Sequence, residues 1–215
     1  DVVLDAAPLT NVVFDVSTND STESSVDLTS LTFTPSDWDM MQTVAVTGVD
    51  DSAVDGDIAH LVTVSVNDAS SDDAFDALAD QTLSVTTTDD EMAGFTVSES
   101  SLTVDESGTT QTFTVVLDAA PVSDVVLDVS SDDSTESSVN LTSLTFTPAN
   151  WSTAQTVTVT GVDDSVLDGD VWHEITVAVN DGSSDDAFDS LDDYIVSATT
   201  TDDDTAGITV SGGPL

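Results

Sequence analysis

Four carboxylates fall within ten residues, at Asp163, Asp164, Asp168 and Asp170 in the stretch GVDDSVLDGD that spans 161–170. On either side the chain alternates, as QTVTVT at 155–160 and VWHEITVAV at 171–179. The acids therefore belong to a loop joining two strands at one end of a sheet. The same arrangement occurs earlier, where Asp50, Asp51, Asp55 and Asp57 sit in GVDDSAVDGD between candidate strands at 42–47 and 58–66. Like charges crowded on a short loop repel one another unless a cation lies among them. Carboxylate oxygens are hard donors, so calcium, which takes six to eight oxygens, is the cation this pattern suits best.

The chain as a whole points the same way. Its 215 residues include 43 acids and no Lys or Arg, for a formal charge of −43. Side-chain salt bridges are thus confined to a protonated His, and repulsion on this scale opposes compaction. Yet 39% of the residues are hydrophobic and they alternate cleanly, unlike a disordered acidic chain. A folded protein that depends on cations satisfies both facts. Glu occurs only at 23, 91, 99, 106, 136 and 174; a surface adapted merely to salt has no reason to prefer Asp so strongly. Nucleic acid and anionic membrane are poor partners for a surface without basic residues. No apolar run is long enough for a transmembrane helix. Cysteine is absent, compatible with an extracellular protein stapled by ions rather than disulfides.

The elements that position the acids come in two copies. LDAAP at 4–8 recurs at 117–121, DSTESSV at 20–26 recurs at 133–139, and LTFTP at 31–35 recurs at 144–148; every pair is offset by 113 residues. The reading divides the chain into a first repeat at 1–92, a complete repeat at 93–205, and a segment at 206–215 that opens a further repeat or acts as a donor strand. Strands are expected in the second repeat at 94–98, 101–105, 110–118, 124–130, 141–147, 155–162, 171–180 and 194–200, with a short helical turn at 187–192. Val and Thr suit such strands because β-branching restricts side-chain rotation. The expected fold class is all-β, a tandem pair of antiparallel Greek-key β-sandwiches of immunoglobulin-like type. By the 113-residue offset Asp1 corresponds to Thr114, so the first repeat has no equivalents of 93–113. Its sheet is expected to show an open edge and an apolar groove, and the whole reads as a window on a longer array.

Three acidic loops of the second repeat share one end of such a sandwich: Asp132 with Asp133, the 163–170 loop, and Asp202 to Asp204, with Glu106 in the opening segment able to join them. A calcium-binding helix–loop–helix does not fit, since Ile175 stands where its last Glu belongs. A further acidic stretch at 180–189 is either a second ion site or a plain turn. The two histidines, His60 and His173, are one repeat apart, so a repeat cannot supply a two-His zinc site; both are expected to pack at the core edge. Trp38 and Trp151 are expected to plug the sandwich ends, with Trp172 partly exposed. Catalysis has little to work with: no Cys or Lys nucleophile, no cation for an oxyanion, and paired Asp residues too common to single out an acid–base pair.

The order of these motifs resembles the Calx-beta domain of sodium–calcium exchangers and long bacterial surface proteins. The residues that carry the resemblance are VDESG at 104–108, FTVVL at 113–117, LTFTP at 144–148, QTVTV at 155–159, the Asp163–Asp164 pair and the closing acids Asp202, Asp203 and Asp204. The resemblance implies calcium held at one end of each sandwich. In the second repeat it implies Glu106, Asp132 or Asp133, Asp163, Asp164, Asp168, Asp170, Asp202, Asp203 and Asp204. In the first it implies Asp20, Asp50, Asp51, Asp55, Asp57, Asp89, Asp90 and Glu91. Asp168 and Asp170 depart from the exchanger pattern, which has Glu there.

The resulting expectation is a non-enzymatic, calcium-binding segment of a secreted cell-surface adhesin or extracellular fibre, its ions stiffening domains and the junctions between them. Its partners would be calcium, neighbouring repeats and copies of itself. The alternatives are a filament subunit assembling by strand donation, and a non-catalytic carbohydrate-binding module of a secreted hydrolase.

Overall fold

A computed structural model describes residues 1–213; Pro214 and Leu215, at the end of the expected terminal segment, lie outside the described residues. The chain is nearly all β and divides into two compact units, Asp1–Asp51 with Asp55–Asp90, and Ser52–Val54 with Glu91–Leu215.

In the first unit, β1 (Val12–Thr18) lies between β3 (Ser30–Phe33) and β5 (Ile58–Val66), and β6 (Gln81–Thr87) closes the four-stranded sheet as its edge. A separate pair joins β2 (Ser24–Val26) to β4 (Val46–Gly48). Leu4, Val12, Phe14, Leu31, Phe33 and Val62 form the core, with Trp38 packed against it. The strand expected at 42–47 is reduced to its last residues plus a bridge between Val2 and Gln42. A strand needs a ladder partner, and among the described residues this segment has none on that side beyond Val2.

The second unit is a full sandwich. Its nine strands are β7 (Phe95–Val97), β8 (Ser101–Asp105), β9 (Thr110–Leu117), β10 (Val125–Ser131), β11 (Ser137–Val139), β12 (Ser143–Phe146), β13 (Gln155–Gly161), β14 (Val171–Val179) and β15 (Tyr194–Thr201). One sheet runs β12-β10-β14-β15-β8 and the other β11-β13-β9-β7. The alternating faces of both sheets meet in one core, in which Phe113, Val115, Leu127, Phe146, Val157, Ile175 and Val196 are buried. Trp151, partly buried, packs against it, whereas Trp172 is 59% exposed.

Three details differ from the sequence reading. The strand β11 forms over Ser-Ser-Val, too short and too polar to show alternation. The helical turn is a 3-10 turn at Asp181–Ser183 rather than at 187–192; 185–191 is instead a run of hydrogen-bonded turns that seats Phe188 in the core. One pair is parallel, β8 with β15, where Val104 stands opposite Thr200.

Candidate metal centre

Glu106 follows directly on β8, and the ring of acids around it is brought in by the ends of β13, β14 and β15. Its carboxylate is buried, and Oε2 has no hydrogen-bond partner. Oxygens of Glu106, Asp202 and Asp204 lie within 4.8 Å of one another, and Oδ2 of Asp204 is likewise buried without a partner. Desolvation, followed by the charges of Asp202, Asp164, Asp168 and Glu136, pushes the Glu106 carboxyl up to about 7. The chain has no Lys or Arg to offset those charges.

The backbone fixes this geometry. Gly161 ends β13 against Asp105, where an added Cβ would lie 2.1 Å from the Asp105 carbonyl oxygen; only glycine lets the strand pass so close to Glu106. Gly169 turns the acidic loop at φ +77°, a region natural to glycine, and donates its N–H to Asp202 Oδ2 at 2.8 Å. The other oxygen of Asp202 accepts the Asp204 N–H at 2.8 Å. Asp202 thus ties the 163–170 loop to the closing acids.

The middle loop contributes a residue other than those expected. Asp133 accepts the N–H and hydroxyl of Thr135, which lowers its carboxyl. Asp132 accepts the Glu174 N–H at 2.7 Å. Both serve the turn. The buried acid of this loop is Glu136, whose charge acts on Glu106 and whose Oε2 is unpartnered, although its oxygens do not converge with those of Glu106, Asp202 and Asp204. Burial and then the charges of Asp168, Asp133 and Asp164 raise its carboxyl. Its carbonyl is held by the Val162 N–H at 2.9 Å and the Thr200 hydroxyl at 3.1 Å. The next residue, Ser137, shares a 2.7 Å hydrogen bond with His173 Nε2, both buried. His60 Nε2 shares the equivalent bond with Ser24 at 2.6 Å, so each buried histidine braces the residue that follows its repeat's glutamate.

Repetition at the 113-residue offset could have singled out Glu136: Glu is rare here, and Glu23 stands in the same STESSV context. In the first unit Glu23, Asp51 and Asp55 bring oxygens within 4.8 Å. Burial raises both Glu23 and Asp55, with neighbouring acids adding to it. Asp20 caps its own turn through Thr22. Asp89 Oδ2 accepts the N–H groups of Asp55 and Gly56, and Asp57 accepts that of Asp89. Asp50 and Asp90 approach within 4.8 Å, and Glu91 follows at the start of the second unit.

Among the remaining expected residues, Asp164 Oδ1 holds the Val166 N–H at 2.6 Å. Asp203 is exposed; its carboxyl is raised by desolvation and then by the charges of Asp105 and Asp163. Asp170 belongs to no group of converging ligand atoms among the described residues. In the acidic stretch at 180–189, Asp185 is buried and spends its oxygens on the N–H groups of Val122, Ser123 and Ala187. That makes it a turn anchor.

No family model matches the chain, and no curated protein matches it. Several solved structures are similar at low identity. Domains 4 and 5 of the S-layer protein SbsC match at 16% identity and a TM-score of 0.42, over 87% of this chain and 70% of that one. SbsC domains 1–6 match at 16% and 0.43, over 94% of this chain and 20% of that one. A Bacteroides ovatus GH5 xyloglucanase matches at 15% and 0.35 over 50% of this chain, which spans only 19% of the enzyme's length. At such identities and scores the likenesses leave the function to be argued from the site.

Proposed function

We propose that this chain is a calcium-binding, Calx-beta-like tandem repeat from an extracellular surface protein, in which the ion stabilises the loop end of each sandwich. The observation that carries the reading is Glu106. A buried carboxylate with an unpartnered oxygen, facing Asp202 and Asp204 in a chain without Lys or Arg, is tolerable only when protonated or bound to a cation. All the converging donors are oxygens, which suits calcium and disfavours zinc or copper. Glu106, Asp202 and Asp204 would hold the ion, with Glu136, Asp164 and Asp168 completing the negative wall. In the first unit Glu23, Asp51 and Asp55 would do so. Calcium supplies charge and coordination only; the protein's part is to present pre-set oxygens on loops fixed by Gly161 and Asp202. The absence of cysteine and the dense surface charge suit an ion-rich exterior.

The test is thermal unfolding in calcium, in magnesium and in chelator at matched ionic strength. A ligand that binds only the folded state stabilises it by about 2.7 kcal/mol at a hundred times its Kd. Calcium is expected to raise Tm well above chelator, with magnesium less effective because it demands tighter octahedral geometry. A Tm that follows total salt whatever the cation would overturn the reading.

A further inference from the structure

Three asparagines stand in Asn-x-Ser/Thr tripeptides: Asn19 with Ser21, Asn140 with Thr142 and Asn150 with Ser152. All six of these residues are exposed. Each asparagine spends its side-chain oxygen on the backbone. Oδ1 of Asn19 accepts the Leu61 N–H at 2.7 Å, Oδ1 of Asn140 accepts that of Thr158 at 2.7 Å, and Oδ1 of Asn150 accepts that of Thr147 at 2.6 Å. Among the described residues, the three Nδ2 atoms make no hydrogen bond, and neither do the hydroxyls of Ser21, Thr142 and Ser152.

The other repeat shows what the fold needs at these positions. At the 113-residue offset, Asn19, Asn140 and Asn150 fall on Asp132, Asp27 and Asp37. Each aspartate makes the same bond through Oδ1, with the N–H of Glu174 at 2.7 Å, of Ala45 at 2.7 Å and of Thr34 at 2.6 Å. The turn asks only for an acceptor, which a carboxylate supplies as well as an amide. Asn67 and Asn180 behave otherwise. They are equivalent to each other and lie in no such tripeptide. Each donates its Nδ2 to a carboxylate, of Asp15 at 3.0 Å and of Asp128 at 2.9 Å. Where the fold uses the amide nitrogen, both repeats have it. At Asn19, Asn140 and Asn150 the nitrogen is surplus to the fold and points to another use. Asp132 is exposed in the complete second unit, so the position of Asn19 is open in a fully built repeat as well.

We propose that Asn19, Asn140 and Asn150 are acceptors for N-linked glycans, transferred during export from a lipid-borne glycosyl pyrophosphate. Nδ2 attacks the anomeric carbon of the donor sugar. A C–N bond forms, the bond from that carbon to the phosphate oxygen breaks, and the lipid pyrophosphate leaves with the electron pair. Nδ2 gives up one of its two protons to a base of the transferase. The hydroxyl two residues on is the feature by which such acceptors are selected. The glycan then projects from an exposed turn, while Oδ1 keeps its bond to the backbone.

The proposal rests on the extracellular reading, and the test separates the two. Protein recovered from the surface of the cells that make it would be cut with pepsin, since Lys and Arg are absent, and the peptides weighed by mass spectrometry. Glycan masses are expected on the peptides of Asn19, Asn140 and Asn150, and none on those of Asn11, Asn67 and Asn180. Bare asparagine at all three positions of surface-borne protein would overturn the proposal and leave the extracellular reading standing. Bare protein found only inside the cell would overturn both. Thr142→Ala, made in the same cells, is expected to cut occupancy at Asn140 by about tenfold or more, with Asn19 and Asn150 still occupied; unchanged occupancy would overturn the proposal. Asn140→Asp in a chain made without glycan is expected to keep Tm within about 3 °C in screening salt. A larger fall would mean that the amide serves the fold, and would also overturn it.

Discussion

Val196 and Leu83 occupy the same position in two copies of one repeat, yet Val196 is fully buried and Leu83 is 60% exposed. Gly161 and Gly48 make the same contrast. A Cβ on Gly161 would collide with Asp105, whereas one on Gly48 would meet only a Thr87 methyl at 3.8 Å. Neither difference lies in the residues themselves. The second unit has β8 and the whole of β9, including Val104 and Phe113, to cover its inner face, and among the described residues the first unit shows no counterpart to these. Burial at a repeated position is therefore set by which strands are present to cover it, and one sequence motif can be core in one unit and surface in the other.

The largest effect should come from a charge at the covered position. Val196→Asp buries an unpaired carboxylate and is expected to destabilise the second unit by more than about 4 kcal/mol, while Leu83→Asp should stay within about 0.5 kcal/mol. Calorimetric unfolding of the two variants reads this out, and equal shifts would break the comparison. Next, Gly161→Ala is expected to cost about 1–3 kcal/mol, the range for forcing atoms into a packed site. Gly48→Ala should be neutral or stabilising by a few tenths of a kcal/mol as the unfolded chain loses freedom. Urea midpoints at constant slope would measure both.

Asp185 and its counterpart Asp72 sharpen the comparison from the other side, because the two units build this turn alike. Asp72 accepts the N–H groups of Leu9, Thr10 and Ala74, and these bonds hold its carboxyl below the usual range. Asp72→Asn and Asp185→Asn are each expected to cost about 1–2 kcal/mol, in equal measure, with calcium binding unchanged in calorimetry.

The last comparison concerns pH. With Glu106 raised to about 7 in the folded state against an ordinary 4.5, the folded unit keeps a proton that the unfolded chain has lost between those values. In chelator this contribution is fully present below about pH 4.5 and is lost as pH rises through 7. Glu106→Gln should remove that part of the slope, leave the parts due to Glu136 and Glu23, and weaken calcium binding in the second unit. Calcium affinity of the unaltered chain should fall as pH drops below about 7, with proton uptake on release detectable by calorimetry in two buffers.

Much of this was legible in the sequence. The burial of Phe113, Val115, Leu117, Val157 and Val159 follows from alternation. The loop of Asp163 to Asp170 does lie between two strands. What escaped has physical reasons. Alternation shows which face of a strand is apolar but not which strand lies beside it, so the parallel pairing of β8 with β15 left no trace. Abundant Asp drew attention from Glu136, although a longer side chain is what reaches inward from a turn whose aspartates are occupied with their own backbone. The curtailed β4 and the groove lined by Val2, Leu4, Phe14 and Val44 were foreshadowed by the offset count, because both follow from neighbours that the described residues do not supply.

The pairing of β8 with β15 has a kinetic consequence. It joins the opening of a repeat to its close, and residues from those two ends, Glu106 with Asp202 and Asp204, form the acidic centre. During synthesis the centre cannot assemble until nearly the whole repeat has emerged. Such distant contacts also slow folding relative to locally connected folds. Refolding from denaturant should therefore take up calcium only in its slowest phase, so that ion uptake times the last closure of the sandwich.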